Sequence, residues 1–240
     1  MKKYYCLTIL VILALILYAT PTNAQDDEKT LTEEQAKIMQ ENLMKAMQGL
    51  KREIKIEVKV ENGGSITGNV KCKRTRYPEN IVVYIEKVDD NKYPAPEEHG
   101  VLDQFNLTFV PHVIVVQKGT TIDFPNSDLV RHNVFSPPDC SKQFNLGTYD
   151  VGVVKHVTFD ETGEIPLLCN VHAEMSAFVL VLDNPYFSVT RRDGVFKIEN
   201  VPPGTYKLRA WHEKLKTVTK EITIEAGKTT SVDFQLKKRK

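Results

Sequence analysis

The chain has 240 residues, 41% of them hydrophobic and 26% charged, with 32 Lys and Arg against 31 Asp and Glu. These values fit one large or two small globular domains and exclude a disordered, collagenous or polytopic membrane chain. The even charge balance gives no sign of nucleic acid as a partner, and twelve Gly, twelve Pro and one Trp favour a turn-rich β protein over a helical bundle.

Residues 1–24 read as a secretory signal. Lys2 and Lys3 precede an apolar run from Leu7 to Ala19, and Thr22-Asn23-Ala24 ends in a small residue suited to cleavage. That run is short for a bilayer span, so no membrane span is expected after cleavage; an uncleaved anchor is the alternative. Export implies the periplasm or the exterior. There, the three remaining cysteines, Cys72, Cys140 and Cys169, are an odd number that needs an explanation. A metal ligand would supply one. A disulfide between Cys72 and Cys140 would restore even parity, with two separate thiols as the alternative.

Residues 25–52 predict one amphipathic helix or spacer. Thr30-Leu31-Thr32-Glu33 has a capping-box pattern, and Ala36, Met39, Leu43, Met47 and Leu50 follow at helical spacing. From Ile54 the period changes to two, with Ile56, Val58 and Val60 alternating with charges, which predicts a strand. Ser65–Cys72 and Ile81–Val88 predict two more, followed by a polar, proline-bearing loop over 89–100. Short strands are then expected at Val113–Gln117, Thr121–Phe124, His132–Ser136, Val153–Phe159, Ile165–Cys169 and Ala177–Leu182. A last set covers Gly194–Ile198, Gly204–His212, Thr217–Ile224 and Thr229–Leu236. Spacings near ten residues with turn residues between them predict β-sandwiches. Charge divides the chain similarly: residues 100–184 hold 4 basic and 10 acidic residues, and residues 191–240 hold 13 and 6. Two modules with different surfaces follow.

Chemistry concentrates in two segments. Cys169-Asn170-Val171-His172-Ala173-Glu174-Met175 follows an apolar strand, and His132 opens another strand upstream. One thiolate, two imidazoles and a thioether make a His₂Cys set with a weak axial Met, the blue-copper donor pattern. Soft thiolate and imidazole together hold both Cu(I) and Cu(II). Taken singly, each residue has a plainer reading: Cys169 as a buried hydrophobe or disulfide partner, the histidines as loop residues, Met175 as core.

Together these residues resemble a cupredoxin of the plastocyanin and amicyanin kind over residues 100–184. Phe109-Val110-Pro111, the run Val113 to Phe124, Asn126-Ser127-Asp128 before His132-Asn133-Val134, and the Cys169, His172, Met175 spacing carry the likeness. It implies a Greek-key β-sandwich with one type 1 copper held by His132, Cys169, His172 and Met175. It also implies that Asn133, after the first histidine, ties the two ligand loops together. Ala173 and Glu174 depart from the proline and bulky residue usual after the second histidine.

The closing strands resemble a carboxypeptidase regulatory-like (transthyretin-like) domain, through Gly194-Val195-Phe196 to Tyr206-Lys207-Leu208, Ala226-Gly227-Lys228 and Val232-Asp233-Phe234. Gly64 to Val70 and Asn80 to Ile85 look like the opening of that domain. The expected layout is therefore a discontinuous second sandwich, 53–90 plus 186–240, with the cupredoxin inserted; a linear order is the alternative. No His-x-x-Glu, Cys-x-x-Cys-His or Gly-x-Ser-x-Gly occurs, so the expectation is a carrier and not an enzyme. The resemblance implies an exported protein that carries single electrons between periplasmic redox proteins, a c-type cytochrome among the candidates. A copper-delivery protein and a metal-free structural module are the alternatives.

Overall fold

Short runs of alternating or continuously apolar residues, cut by Gly, Pro and Asn, shape this chain into strands. The computed structural model describes residues 51–73, 77–88 and 93–239, with Lys37, Ile38 and Glu41. Those last three are helical and exposed, while residues 51 and 52 are irregular. The remainder of the helix expected over 25–52, and the signal over 1–24, lie outside the described residues.

In chain order the strands are β1 (Glu53–Ile54), β2 (Gly64–Cys72), β3 (Val82–Ile85), β4 (Gly100–Val101), β5 (Asp103–Phe105), β6 (Thr108–Val110) and β7 (Val113–Gln117). Then follow β8 (Thr120–Pro125), β9 (His132–Phe135), β10 (Asn145–Tyr149), β11 (Val154–Phe159), β12 (Gly163–Leu168) and β13 (Ser176–Leu182). The last are β14 (Phe187–Val189), β15 (Val195–Val201), β16 (Gly204–Trp211), β17 (Val218–Ile224), β18 (Thr229–Ser231) and β19 (Phe234–Leu236).

A six-stranded sheet, β1-β7-β13-β12-β9-β10, faces a three-stranded one, β11-β8-β4. Between them lies a core built from Ile114, Val116, Phe124, Phe159, Leu167 and Val179. A second body pairs β14-β3-β16-β17 in one sheet and β15-β2-β18 in another, with β19 also on β2. Its core holds Ile66, Val83, Phe196, Leu208, Ile222 and Phe234. Thus β2 and β3, which precede β4–β13, pair with strands that follow them.

A third core joins the two bodies. Val113, Val115 and Leu180 on the outer face of the six-stranded sheet meet Val82, Tyr84, Phe187, Val189 and Trp211. Every residue of β3 and of β7 is buried, because each strand has a core on both faces. That is why Val82-Val83-Tyr84-Ile85 and Val113-Ile114-Val115-Val116 are continuous apolar runs without alternation. A fully buried side chain of this size contributes roughly 1.5–3 kcal/mol. The shared core therefore outweighs any surface ion pair in holding the bodies together.

Three expectations need correction. The strand expected from Ile54 to Val60 is only two residues long and pairs in parallel with β7, at Glu53–Val115 and Ile54–Val116. Residues 53 and 54 thus belong to the six-stranded sheet and not to the second body, because Ile54 fills the first core. Thr229–Leu236 is two strands, broken at Val232, whose amide bonds the Thr67 carbonyl at 2.8 Å. Cys72 and Cys140 are not bonded to each other. Cys72 packs against the core of the second body and Cys140 against that of the first. The Cys140 thiol donates to the carbonyls of Pro137 at 3.0 Å and Lys142 at 3.1 Å.

Candidate metal centre

Strand β12 delivers Cys169. Ile165, Leu167 and Cys169 continue one inward-facing alternation, so the thiol arrives in the core, 4% exposed. Past it the chain leaves the sheet: Asn170 and Val171 are exposed, His172 is half-buried, and Met175 returns to 1% exposure. The Met175 amide donates to the His172 carbonyl at 3.1 Å, which closes the loop as a turn. His132 opens β9 and is fully buried, with Tyr149 of β10 opposite it.

Three donors converge: His132, Cys169 and His172 place one ligand atom each within 4.8 Å of one another. The two Nδ1 atoms stand 3.0 Å apart. Metal–nitrogen and metal–sulfur bonds of about 2.0–2.3 Å place donors of one ion roughly 3–4.5 Å apart, so the set is compact enough for a single ion. Met175 is buried in the same core as Cys169. Among the described residues this is the one group of three or more His, Cys, Asp or Glu with such convergence.

The orientation of His132 has a local cause. Its Nε2 lies 2.9 Å from Oδ2 of the buried Asp128. That carboxylate also accepts the amides of Leu107 and Leu129, each at 2.7 Å. A carboxylate only accepts, so the Nε2 nitrogen carries the proton and the Nδ1 lone pair faces the site. Asn126 shapes the loop that holds Asp128: its Oδ1 accepts the Asp128 amide at 3.1 Å and its Nδ2 donates to the Val130 carbonyl at 2.9 Å.

Asn133 links the two ligand segments. Its amide points at the Cys169 sulfur at 3.5 Å, its Oδ1 accepts the Asn170 amide at 3.4 Å, and its Nδ2 donates to Asn145 at 2.8 Å. Hydrogen bonding to the sulfur stabilises a thiolate and tunes its redox partner.

Behind His132 the packing is polar and buried. Burial pushes the Asp103 carboxyl above its ordinary range, opposed by the Ser127 hydroxyl and the amides of Gln104 and Ser127. Burial likewise pushes the Tyr149 phenol up, against a hydrogen bond from Gln104. The sequence gives no sign of Gln104 or Tyr149, and it presents Asp128 only within the Asn126-Ser127-Asp128 motif, with no role of its own. Asp128 had a local signal, an acid four residues before a ligand histidine; the other two reach the site only through folding.

Residues 176–237 match the model of the carboxypeptidase regulatory-like domain family. The first seven of them, β13, pair here with β7 and β12 in the first body. No curated protein matches the chain. Among solved structures it is similar to a purple cupredoxin from Nitrosopumilus maritimus, at 22% identity and TM-score 0.32, covering 34% of this chain and 98% of that one. It is also similar to amicyanin from Paracoccus versutus, at 17% identity and TM-score 0.33, covering 41% of this chain and 96% of that one. A Cu-containing nitrite reductase from Thermus scotoductus matches at 18% identity and TM-score 0.34, covering 47% of this chain and 28% of that one.

Proposed function

We propose that this chain is a type 1 (blue) copper protein that passes single electrons between redox partners in the periplasm or outside the cell. One observation carries the reading: buried His132 and Cys169 and half-buried His172 bring their ligand atoms within 4.8 Å of one another, with the two Nδ1 atoms 3.0 Å apart. His132, Cys169 and His172 would be the strong ligands and Met175 the axial one. Bound there, one copper ion would supply a one-electron couple, since this donor set holds both Cu(I) and Cu(II).

The chain's own residues support fast exchange. Asp128 presents the His132 lone pair, and Asn133 braces the sulfur and the second loop. Buried donors on a packed frame move little when charge changes. His172 is the one nitrogen donor that is not fully buried, so its edge is the port for electrons. Exposed Val171, Leu129, Val130 and Leu107 stand on the loops that carry these donors or bond to Asp128, an apolar rim for a docking partner. The acidic excess of residues 100–184 favours a basic partner such as a c-type cytochrome. The signal pattern of residues 1–24 supports the location. We read the second body as a carboxypeptidase regulatory-like domain, split by the metal-bearing segment and serving as its mount.

Titrating residues 25–240 with Cu(II) tests the proposal. An intense visible band that saturates at one copper per chain and bleaches with ascorbate is expected, and Cys169→Ala should abolish it. A colourless, folded protein at saturating copper would overturn the reading, as would a Cys169→Ala protein that kept the band.

A further inference from the structure

Away from the metal centre, a cavity of about 560 Å³ opens where the two bodies meet. Its walls include Arg52, Arg191, Arg192, Glu79, Asn80 and His112. The residues come from both sides of the joint. Arg52 precedes β1, and its carbonyl accepts the Val115 amide at 2.8 Å, which anchors it to the metal-bearing sheet. Arg191 and Arg192 lie in the turn between β14 and β15, closed by the Gly194 amide on the Arg191 carbonyl at 2.9 Å.

The charges in this cleft do not cancel. Glu79 is the one carboxylate in its lining, and it faces Arg192 at 3.4 Å. Arg52 donates to a neutral acceptor, Asn80 Oδ1, at 2.9 Å. Among the described residues no carboxylate pairs with Arg52 or with Arg191. Burial lowers the Arg52 pKa and the nearby Arg191 charge lowers it further, against the opposing charges of Glu79 and Glu53, so half-buried Arg52 and exposed Arg191 stand close enough to repel each other. Asn80, which holds Arg52, adopts a left-handed backbone with φ 61°. Guanidinium forks bind carboxylate and phosphate oxygens in pairs, and a volume of this size lies within the range of small-ligand sites.

We infer that this cleft between the two bodies binds a small oxyanion of two or more charges, a phosphate or polycarboxylate group held between Arg52 and Arg191. Calorimetry of the mature protein at low salt with inorganic phosphate, and separately with citrate, tests it. One-site binding by at least one probe, weakening as NaCl rises, is expected. Phosphate alone would assign a phosphoryl ligand, and citrate alone a carboxylate one. Arg191→Gln, in an exposed turn, should weaken binding by about tenfold or more, and Arg52→Gln should do the same. Cys169→Ala should bind the anion as wild type does, which keeps this test separate from the copper reading. Absence of binding by both probes at millimolar concentration, or wild-type affinity in a folded Arg191→Gln protein, would overturn the inference.

Discussion

The chemistry of the centre is decided at single residues whose tasks are carried out through hydrogen bonds. Asp128 is the sharpest case. It is buried, and it spends its acceptor sites on His132 Nε2 and on two amides that shape the surrounding loops. Without it, His132 could turn or adopt the other tautomer, and the Nδ1 lone pair would no longer be presented. Asp128→Ala should therefore lower copper affinity by about 10–100-fold, the usual effect of losing a partner of a ligand imidazole. Competition with a chromophoric copper chelator would read the change, and circular dichroism would show that the fold persists. Unchanged affinity in the variant would mean that β9 alone orients the ring. The Asp128-x-x-x-His132 spacing is visible in the sequence, but its meaning depends on a loop that folds back, which spacing alone does not show.

At the level of elements, the close approach of strands sets the demands on sequence. Gly68 in β2 shows this. A Cβ there would lie 1.9 Å from the Val232 carbonyl oxygen and 2.9 Å from the Phe196 ring. The obstacle at 1.9 Å is backbone, at the break between β18 and β19, so it cannot rotate aside. Gly68→Ala should cost about 1–3 kcal/mol, toward the upper end, as overpacking does. Urea unfolding should show a lower midpoint with an unchanged slope. A midpoint equal to wild type would mean that the β18–β19 segment yields easily. β3 and β7 make a related point. Their uninterrupted apolar runs indicate strands, and the cores on both of their faces explain why no alternation appears. Which face meets which body follows only from the sheet order. Strand β1 fell short of its pattern for a similar reason: alternation from Ile54 to Val60 permits a strand, but pairing needs a neighbour, and β7 supplies one only at Glu53 and Ile54.

For the whole molecule, the joint between the bodies carries both an apolar core and an ion pair. His112, just before β7, meets Glu213, just after β16, at 2.8 Å, and its other ring nitrogen lies 3.0 Å from the Ser176 carbonyl. The hydrogen bond to Glu213 raises the His112 pKa above 6.5, against burial. Burial pushes Glu213 up, but the bond and charge of His112, with Lys214, outweigh it and hold the carboxyl below 4.5. A raised histidine stabilises the fold below its unfolded pKa, and that contribution disappears as pH rises through the folded value. A depressed carboxyl stabilises above its unfolded pKa and loses its contribution as pH falls through the folded one. The pair therefore contributes most between those limits, on the order of 1 kcal/mol for a partly exposed pair. Glu213→Gln should remove that contribution, so the stability difference from wild type should shrink as pH rises past the His112 value. His212, whose pKa burial lowers and the Glu213 charge raises, loses that support in the same variant and adds to the difference in the same direction. Denaturant titrations of both proteins across this range would read it, and a difference independent of pH would show that the pair does not couple the bodies.

By itself the sequence determined the β character, most strand positions and the local grouping of Cys169, His172 and Met175. These follow from nearest-neighbour chemistry: side-chain alternation, turn residues and donor spacing along a few residues of chain. Only the tertiary structure decided that His132 Nδ1 meets His172 Nδ1, that Asp128 holds the far side of that ring, and that Cys72 and Cys140 sit in separate cores. Parity counts cysteines without locating them, whereas a bond requires two sulfurs to be brought together. The joint, with its shared core and arginine-lined cleft, arises from residues far apart in the chain. Sheet pairing across the intervening strands brings them together, and each body covers an apolar face of the other.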